Sequence, residues 1–334
     1  MAPPVITDMY ESYYGLSELP FELTANPRFL FLNKGEREAL SILQYGLFSA
    51  KSLTVLTGEA GTGKTTLIQS ALDSERCRDV RAIYLNNPTL NPDEFVRMLA
   101  LKLELPQEVS ESKTLLLLRL ERLLRERREA GQITALVIDE AQSLSVEMLE
   151  EVRLLANIET SSAKLLPLVL AGQPELAARL EEPNLRQLKQ RVTLRAHLEP
   201  FGLADTAGYI ASRIRTAGGR AERLFTLDAV KLIHEYSRGI PRTISVICDN
   251  ALVSGMAIGK PRVDRATIVD VGRDLWLNGS RPSAFPAASC PEPTVDVASP
   301  IPPHAEDAPS PAPSSFVRRG VAALSRRVGR TVTE

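Results

Sequence analysis

Apolar positions between residues 51 and 200 fall into short β-rich runs separated by longer stretches with helical spacing. The runs are Leu53 to Thr57 (LTVLT), Arg81 to Leu85 (RAIYL), Ile133 to Ile138 (ITALVI), Leu166 to Ala171 (LPLVLA) and Arg191 to Ala196 (RVTLRA). Such alternation predicts a mostly parallel sheet with helices on its faces. Between the second and third runs, Ser112 to Glu129 gathers leucines on one face and Arg and Glu on the other, so it predicts an amphipathic helix. Its Arg119 to Arg128 charge run then reads as a solvated helix face. From Asp205 the strand pattern stops. Stretches 205–216, 227–237, 240–256 and 264–275 predict a small helical domain after the α/β one.

The pattern changes again near Gly279. Ten of the chain's 23 prolines lie between Pro282 and Pro313, a density that removes backbone donors and fixes φ against helix and sheet. Residues 279–313 are therefore expected to form an extended linker. Beyond it, residues 314–334 carry Phe316, Val317, Val321, Leu324 and Val328 among five arginines, which form either a basic amphipathic tail suited to weak contact with anionic membrane or, because Gly320 and Gly329 weaken so short a helix, a frayed terminus. The expected organisation is an N-terminal segment 1–50, an α/β domain 51–200, a helical domain 201–278, the linker and the tail.

Composition narrows the class. With 44% apolar and 24% charged residues, the 334-residue chain has the make-up of a globular protein and can build a sizeable core. Forty basic against 41 acidic residues leave a net charge of -1, which removes any bulk electrostatic argument for nucleic-acid binding. The apolar runs fall far short of the roughly 18 residues of a membrane span, and Met1 to Tyr10 has no secretory pattern, so the cytosol is the expected compartment. Cys77, Cys248 and Cys290 are odd in number and lack ligand spacing, as structural thiols do.

Chemistry concentrates at strand ends. Gly58 to Thr65 (GEAGTGKT) follows the first strand and precedes a helical stretch, which makes an anion nest of backbone N–H groups at a helix N-terminus. Gly58, Glu59, Ala60, Gly61, Thr62, Gly63, Lys64, Thr65 and Thr66 form the expected nucleotide cradle. In it Lys64 serves the β- and γ-phosphates of ATP and Thr65 ligates Mg²⁺. The third strand ends in Asp139 and Glu140, expected to hold the metal's hydration shell and to activate water; a helix N-cap is the competing reading. Gln173 after the fourth strand is a candidate to orient the same water. Arg191, before the fifth strand, is a candidate to reach a neighbouring subunit's γ-phosphate, with Arg186 and Arg195 as competitors. Arg242, after Pro241 in the helical domain, is a candidate nucleotide sensor. Tyr10, Tyr13, Tyr14, Phe21, Phe29 and Phe31 form either a docking surface or an extension packed onto the core.

Phosphate loop, Asp-Glu strand end, polar residue after the fourth strand, arginine before the fifth strand and G-x-P-R in a helical lid together resemble an AAA+ ATPase. The stretch MYESYYGLSELPFELTANPRFLFLNKGEREAL, followed by LQYGL, GEAGTGKTTL, VIDEAQ, LAGQPEL and QLKQRV, is similar to the ExeA-like (general secretion pathway protein A) ATPases over Met9 to about Met256. The resemblance implies a P-loop fold with a five-stranded parallel sheet in 5-1-4-3-2 order and a C-terminal lid. It also implies Mg²⁺-dependent ATP hydrolysis in a homo-oligomer, and a role as assembly switch or motor for envelope export. An export or inner-membrane partner and a place at the cytoplasmic side of the inner membrane would follow. The membrane span and peptidoglycan-binding domain of the best-known members have no counterpart in the sequence. The rival is a DNA-binding AAA+ regulator of the transposition or initiator type, which the neutral charge and the Pro-rich C-terminal region disfavour.

Overall fold

The five apolar runs form five strands: β1 (Leu53–Gly58), β2 (Val80–Leu85), β3 (Ile133–Ile138), β4 (Leu168–Gly172) and β5 (Val192–Leu198). They come from a computed structural model that describes residues 10–275 except 25, 87–89, 107–111 and 162. The expected linker 279–313, the tail 314–334 and Cys290 lie outside the described residues. All pairings are parallel and the order is β2-β3-β4-β1-β5, the expected 5-1-4-3-2 sheet. β4 starts two residues later than its apolar run because Pro167 has no N–H to donate; its carbonyl instead accepts from Leu136 N.

The inner strands β1, β3 and β4 read as unbroken apolar runs because both of their faces are covered, whereas the outer strands β2 and β5 keep exposed positions such as Arg81, Thr193 and Arg195. In β3, Leu136 and Ile138 point into a core shared with the helices α4 (Pro92–Lys102), α5 (Lys113–Glu129), α6 (Val146–Leu155), α7 (Pro174–Arg179) and α8 (Arg186–Lys189). Ala135 and Val137 point the other way, toward α2 (Lys34–Phe48) and α3 (Lys64–Leu72). On the outer face of α5, Arg122 pairs with Glu126 and Arg125 with Glu121, all exposed, as expected of a solvated face.

A third core belongs to the helical domain: α9 (Leu203–Thr216), α10 (Ala221–Leu224), α11 (Leu227–Ser237), α12 (Pro241–Ala257) and α13 (Arg265–Asp274). The N-terminal aromatics pack into it. Tyr10, on the short helix α1 (Tyr10–Tyr14), is buried with Phe21 and Phe29, and its hydroxyl donates to Asp249 of α12. Phe31 meets Phe201 and Tyr209 edge-on at 5.6 and 6.1 Å. Of the six aromatics, Tyr13 is exposed, at 43%. Arg213 fastens this strap by donating to Pro20 O and to Glu22 O, the latter at 3.0 Å. The segment before residue 50 thus serves two cores: its strap joins the lid, and α2 joins the sheet. No described helix is long and apolar enough to cross a membrane.

Candidate functional site

The phosphate loop takes its shape from glycine. Gly61 (φ 84°) and Gly63 (φ 95°) occupy the left-handed region, and Gly63 opens α3 without a side-chain cap, so its first amides are left for a ligand. A Cβ on Gly61 would come within 2.9 Å of Arg242 Cβ, so glycine here also lets the lid close on the loop. The backbone N–H of Arg242 donates to Gly61 O at 3.1 Å.

Lys64 is 6% exposed, and its Nζ donates to Gly58 O at 2.7 Å and Glu59 O at 3.0 Å. Burial pulls the ammonium below its ordinary pKa, against the opposing pull of Glu140, Asp139 and Glu59. Thr65 Oγ1 donates to Asp139 Oδ2 at 2.7 Å, and Asp139 Oδ1 accepts the Glu140 N–H at 2.9 Å. Glu140 sits in the left-handed region (φ 54°, ψ 34°), a strained backbone for a side chain and one found often at functional sites. The N-cap reading of the acidic pair fails for the helix that follows, because Ser145 caps α6 by accepting from Met148 N.

Over the loop lies a cavity of about 390 Å³, walled by the loop and Glu140 on one side and by the strap and lid on the other. Asn26, Phe29 and Phe31 of the strap and Tyr209 and Ser245 of the lid supply apolar faces and a few polar atoms, the chemistry of a base and sugar site. The exposed side chain of Arg242 lies on its rim. Of these strap and lid residues the sequence pointed to Arg242 as a nucleotide sensor and to Phe29 and Phe31 only as a docking or packing surface; Asn26, Tyr209 and Ser245 carried no sequence signal, because they meet the loop only when the chain folds back.

The residues fit a nucleotide with Mg²⁺. A hydroxyl and a carboxylate in contact are the two protein groups such an ion takes, with phosphates and water completing it. Among the described residues no cluster of three or more His, Cys, Asp or Glu offers an all-protein metal cage. The buried Tyr84 hydroxyl, within reach of the Asp139 charge, has no hydrogen-bond partner among the described residues. Burial, with the Asp139 charge, raises its pKa.

The remaining candidates lie farther out. Gln173 is the half-buried N-cap of α7, and its side chain makes no capping bond. Its backbone N–H donates to Gln142 Oε1 at 3.0 Å, and Gln142 Nε2 donates to Glu140 Oε2 at 2.7 Å. Gln142, not Gln173, therefore touches the acidic residue in this structure, and sequence reasoning passed over it. Arg191 immediately precedes β5, at the N-terminal end of the strands and so at the end of the sheet opposite the phosphate loop; there Arg153, Gln187, Gln190 and Arg191 line a polar cavity of about 450 Å³. Arg195 lies 3.8 Å from Glu181, and Arg186 is exposed on α8.

Residues 48–180 match the family model described as an AAA domain. Over 255 residues, 76% of this chain, the sequence is 38% identical to general secretion pathway protein A of Aeromonas hydrophila; the match covers 46% of that protein, so the chain spans about half of its relative's length. Among solved structures, Drosophila ORC bound to DNA matches with a TM-score of 0.59 at 16% identity, over 83% of this chain and 68% of that one. The Aeropyrum pernix ORC2 protein, in its ADPNP-ADP complexes, matches with a TM-score of 0.56 at 17% identity, over 75% and 70%. These structural likenesses establish an α/β P-loop fold.

Proposed function

We propose that this chain, which belongs to the AAA+ ATPases of the general secretion pathway protein A family, hydrolyses ATP with Mg²⁺ in the cavity above residues 58–66. The observation that carries the reading is the 2.7 Å contact between Thr65 Oγ1 and Asp139 Oδ2, with Glu140 following directly at the edge of the same cavity. Lys64 exchanges its two carbonyl partners for β- and γ-phosphate oxygens, gaining an anionic acceptor for each neutral one it gives up. Thr65 and Asp139 would hold Mg²⁺, which would supply neutralisation of the charge on the phosphate oxygens. Glu140 accepts the proton of the attacking water. Arg242 reports the nucleotide to the lid through its position against Gly61, and Gln173 senses from the end of β4. Arg191 serves the site of a neighbouring copy, so activity depends on homo-oligomerisation.

ATP hydrolysis measured with and without Mg²⁺, alongside calorimetric ATP binding, tests the site. Lys64→Ala is expected to abolish binding; undiminished affinity would refute the assignment. Glu140→Gln is expected to keep ATP bound while turnover falls by about 10² or more. An unchanged kcat would mean that another group activates the water.

The wider role follows from the Aeromonas relative, whose name places it in general secretion. The reading is an assembly switch or motor for an envelope export system, working with an export or inner-membrane partner. Cells carrying only the Lys64→Ala protein should lose export of the secreted cargo, and normal export in them would overturn this role while leaving the ATPase intact.

A further inference from the structure

Gln142 stands between two parts of the molecule that the sequence keeps 31 residues apart. Its amide has one donor group aimed at Glu140 Oε2 (2.7 Å) and its oxygen aimed at the Gln173 N–H (3.0 Å). A carboxylate only accepts and a backbone N–H only donates, so the two partners fix which end of the amide faces which. Space for it is provided by Gly172, where a Cβ would lie 2.8 Å from Gln142 Oε1 and 3.2 Å from Gln142 N. The turn that carries it is held separately, since Arg179 Nη1 donates to Gln142 O at 2.6 Å and Leu144 O at 2.7 Å. One oxygen of Glu140 is thereby restrained while the other is left for water, and the left-handed backbone at Glu140 gives the side chain its starting direction.

We propose that Gln142 is a positioning residue that ties the Glu140 carboxylate to the β4–α7 turn, so that the base is held in register with the strand end that faces the γ-phosphate. The proposal rests on the reading of Glu140 as the group that activates water. It assigns to Gln142 no contact with nucleotide. Its effect is geometric, and misplacing a reacting group by about 1 Å can cost up to about 100-fold in rate.

The test is a double-mutant cycle of Glu140→Gln and Gln142→Met, read as kcat, KM and calorimetric ATP affinity. Methionine keeps the length of the side chain and removes both amide bonds, while the Arg179 bonds to the backbone remain. Gln142→Met is expected to lower kcat by about 10- to 100-fold with ATP affinity within about twofold of wild type. In the Glu140→Gln background it should add nothing, because the residue through which it acts is already gone. Should Gln142→Met perturb folding, Gln142→Glu provides the second arm. It preserves shape and the acceptor for Gln173 but sets a carboxylate against a carboxylate, so its kcat should also fall in protein whose circular dichroism shows the native fold. Full kcat in either variant, or losses that multiply across the cycle, would overturn the positioning role while leaving Glu140 as the base. Full activity of Glu140→Gln alone would overturn the underlying reading instead.

Discussion

At the scale of single residues, Glu36 shows how packing changes an acid. It closes a capping box at the start of α2: Glu36 N donates to Asn33 Oδ1, and Asn33 N donates to Glu36 Oε2, both at 2.9 Å. Burial raises its carboxyl to about 7; the nearby Asp205 adds to the rise, and the Asn33 bond opposes it. The folded state then binds this proton more tightly than the unfolded chain, whose carboxyl titrates near 4.5. Its stabilising contribution is therefore complete below about pH 4.5 and is lost as pH climbs to about 7. Converted directly, such a difference is roughly 3 kcal/mol, and solvent screening reduces it to about 1. Glu36→Gln keeps the acceptor of the box and removes the titration. Denaturant midpoints at pH 5 and pH 8 should fall with pH in the wild type and stay level in the variant. Equal losses in both would place the titrating group elsewhere. The mutational effects on Lys64 and Glu140 belong to this scale too, and their positions were legible in the sequence because loop, strand and helix follow one another directly. Gln142 was not, because its role exists only once β4 lies beside β3.

At the scale of elements, the α11–α12 turn brings Arg242 to the phosphate loop, and it depends on one glycine. Gly239 has φ 74°, and a Cβ there would fall 2.0 Å from Phe201 O, while Phe201 N donates to Gly239 O at 2.8 Å. No rotamer change relieves a clash with backbone, so the turn must move and carry Arg242 with it. Gly239→Ala is expected to cost at least about 1 kcal/mol in chemical denaturation and to weaken ATP binding as well. Gly131, at the α5–β3 turn, is the control: φ is 77° but nothing lies within 4 Å of its Cβ position. Gly131→Ala should lose stability through backbone strain alone and keep ATP affinity; a loss of affinity in both variants would disconnect the turn from the site. The five strands and the long helices α5, α9, α11, α12 and α13 were readable from periodicity, whereas α2 and α4 were not singled out. The five-residue α1 and four-residue α10 are too short to show a period, and the strap's aromatics find distant partners that no local pattern announces, Tyr10 at Asp249, Phe21 at Phe225 and Phe31 at Phe201.

At the scale of the whole molecule, the direction of the sheet decides what Arg191 can reach. β5 runs parallel to β1, with Val192 beside Leu53 and Leu198 beside Gly58. Arg191 therefore lies about 20 Å along the strands from its own phosphate loop, too far for a guanidinium to span. Its competitors have other commitments or greater exposure, Arg195 beside Glu181 and Arg186 on the solvent side of α8. A γ-phosphate role for Arg191 then requires a second copy whose cavity faces this edge, and each interface would combine one chain's Lys64 with its neighbour's Arg191. That arrangement predicts complementation. Arg191→Ala and Lys64→Ala chains, each inactive alone, should regain partial ATPase activity when mixed, because some interfaces pair an intact loop with an intact arginine. The recovered rate should rise and then fall as the mixing ratio is varied, and Arg186→Ala should not substitute for Arg191→Ala in producing it. Confirmed co-assembly with no recovered activity at any ratio would remove Arg191 from the neighbour's site and leave it a structural part of the sheet edge.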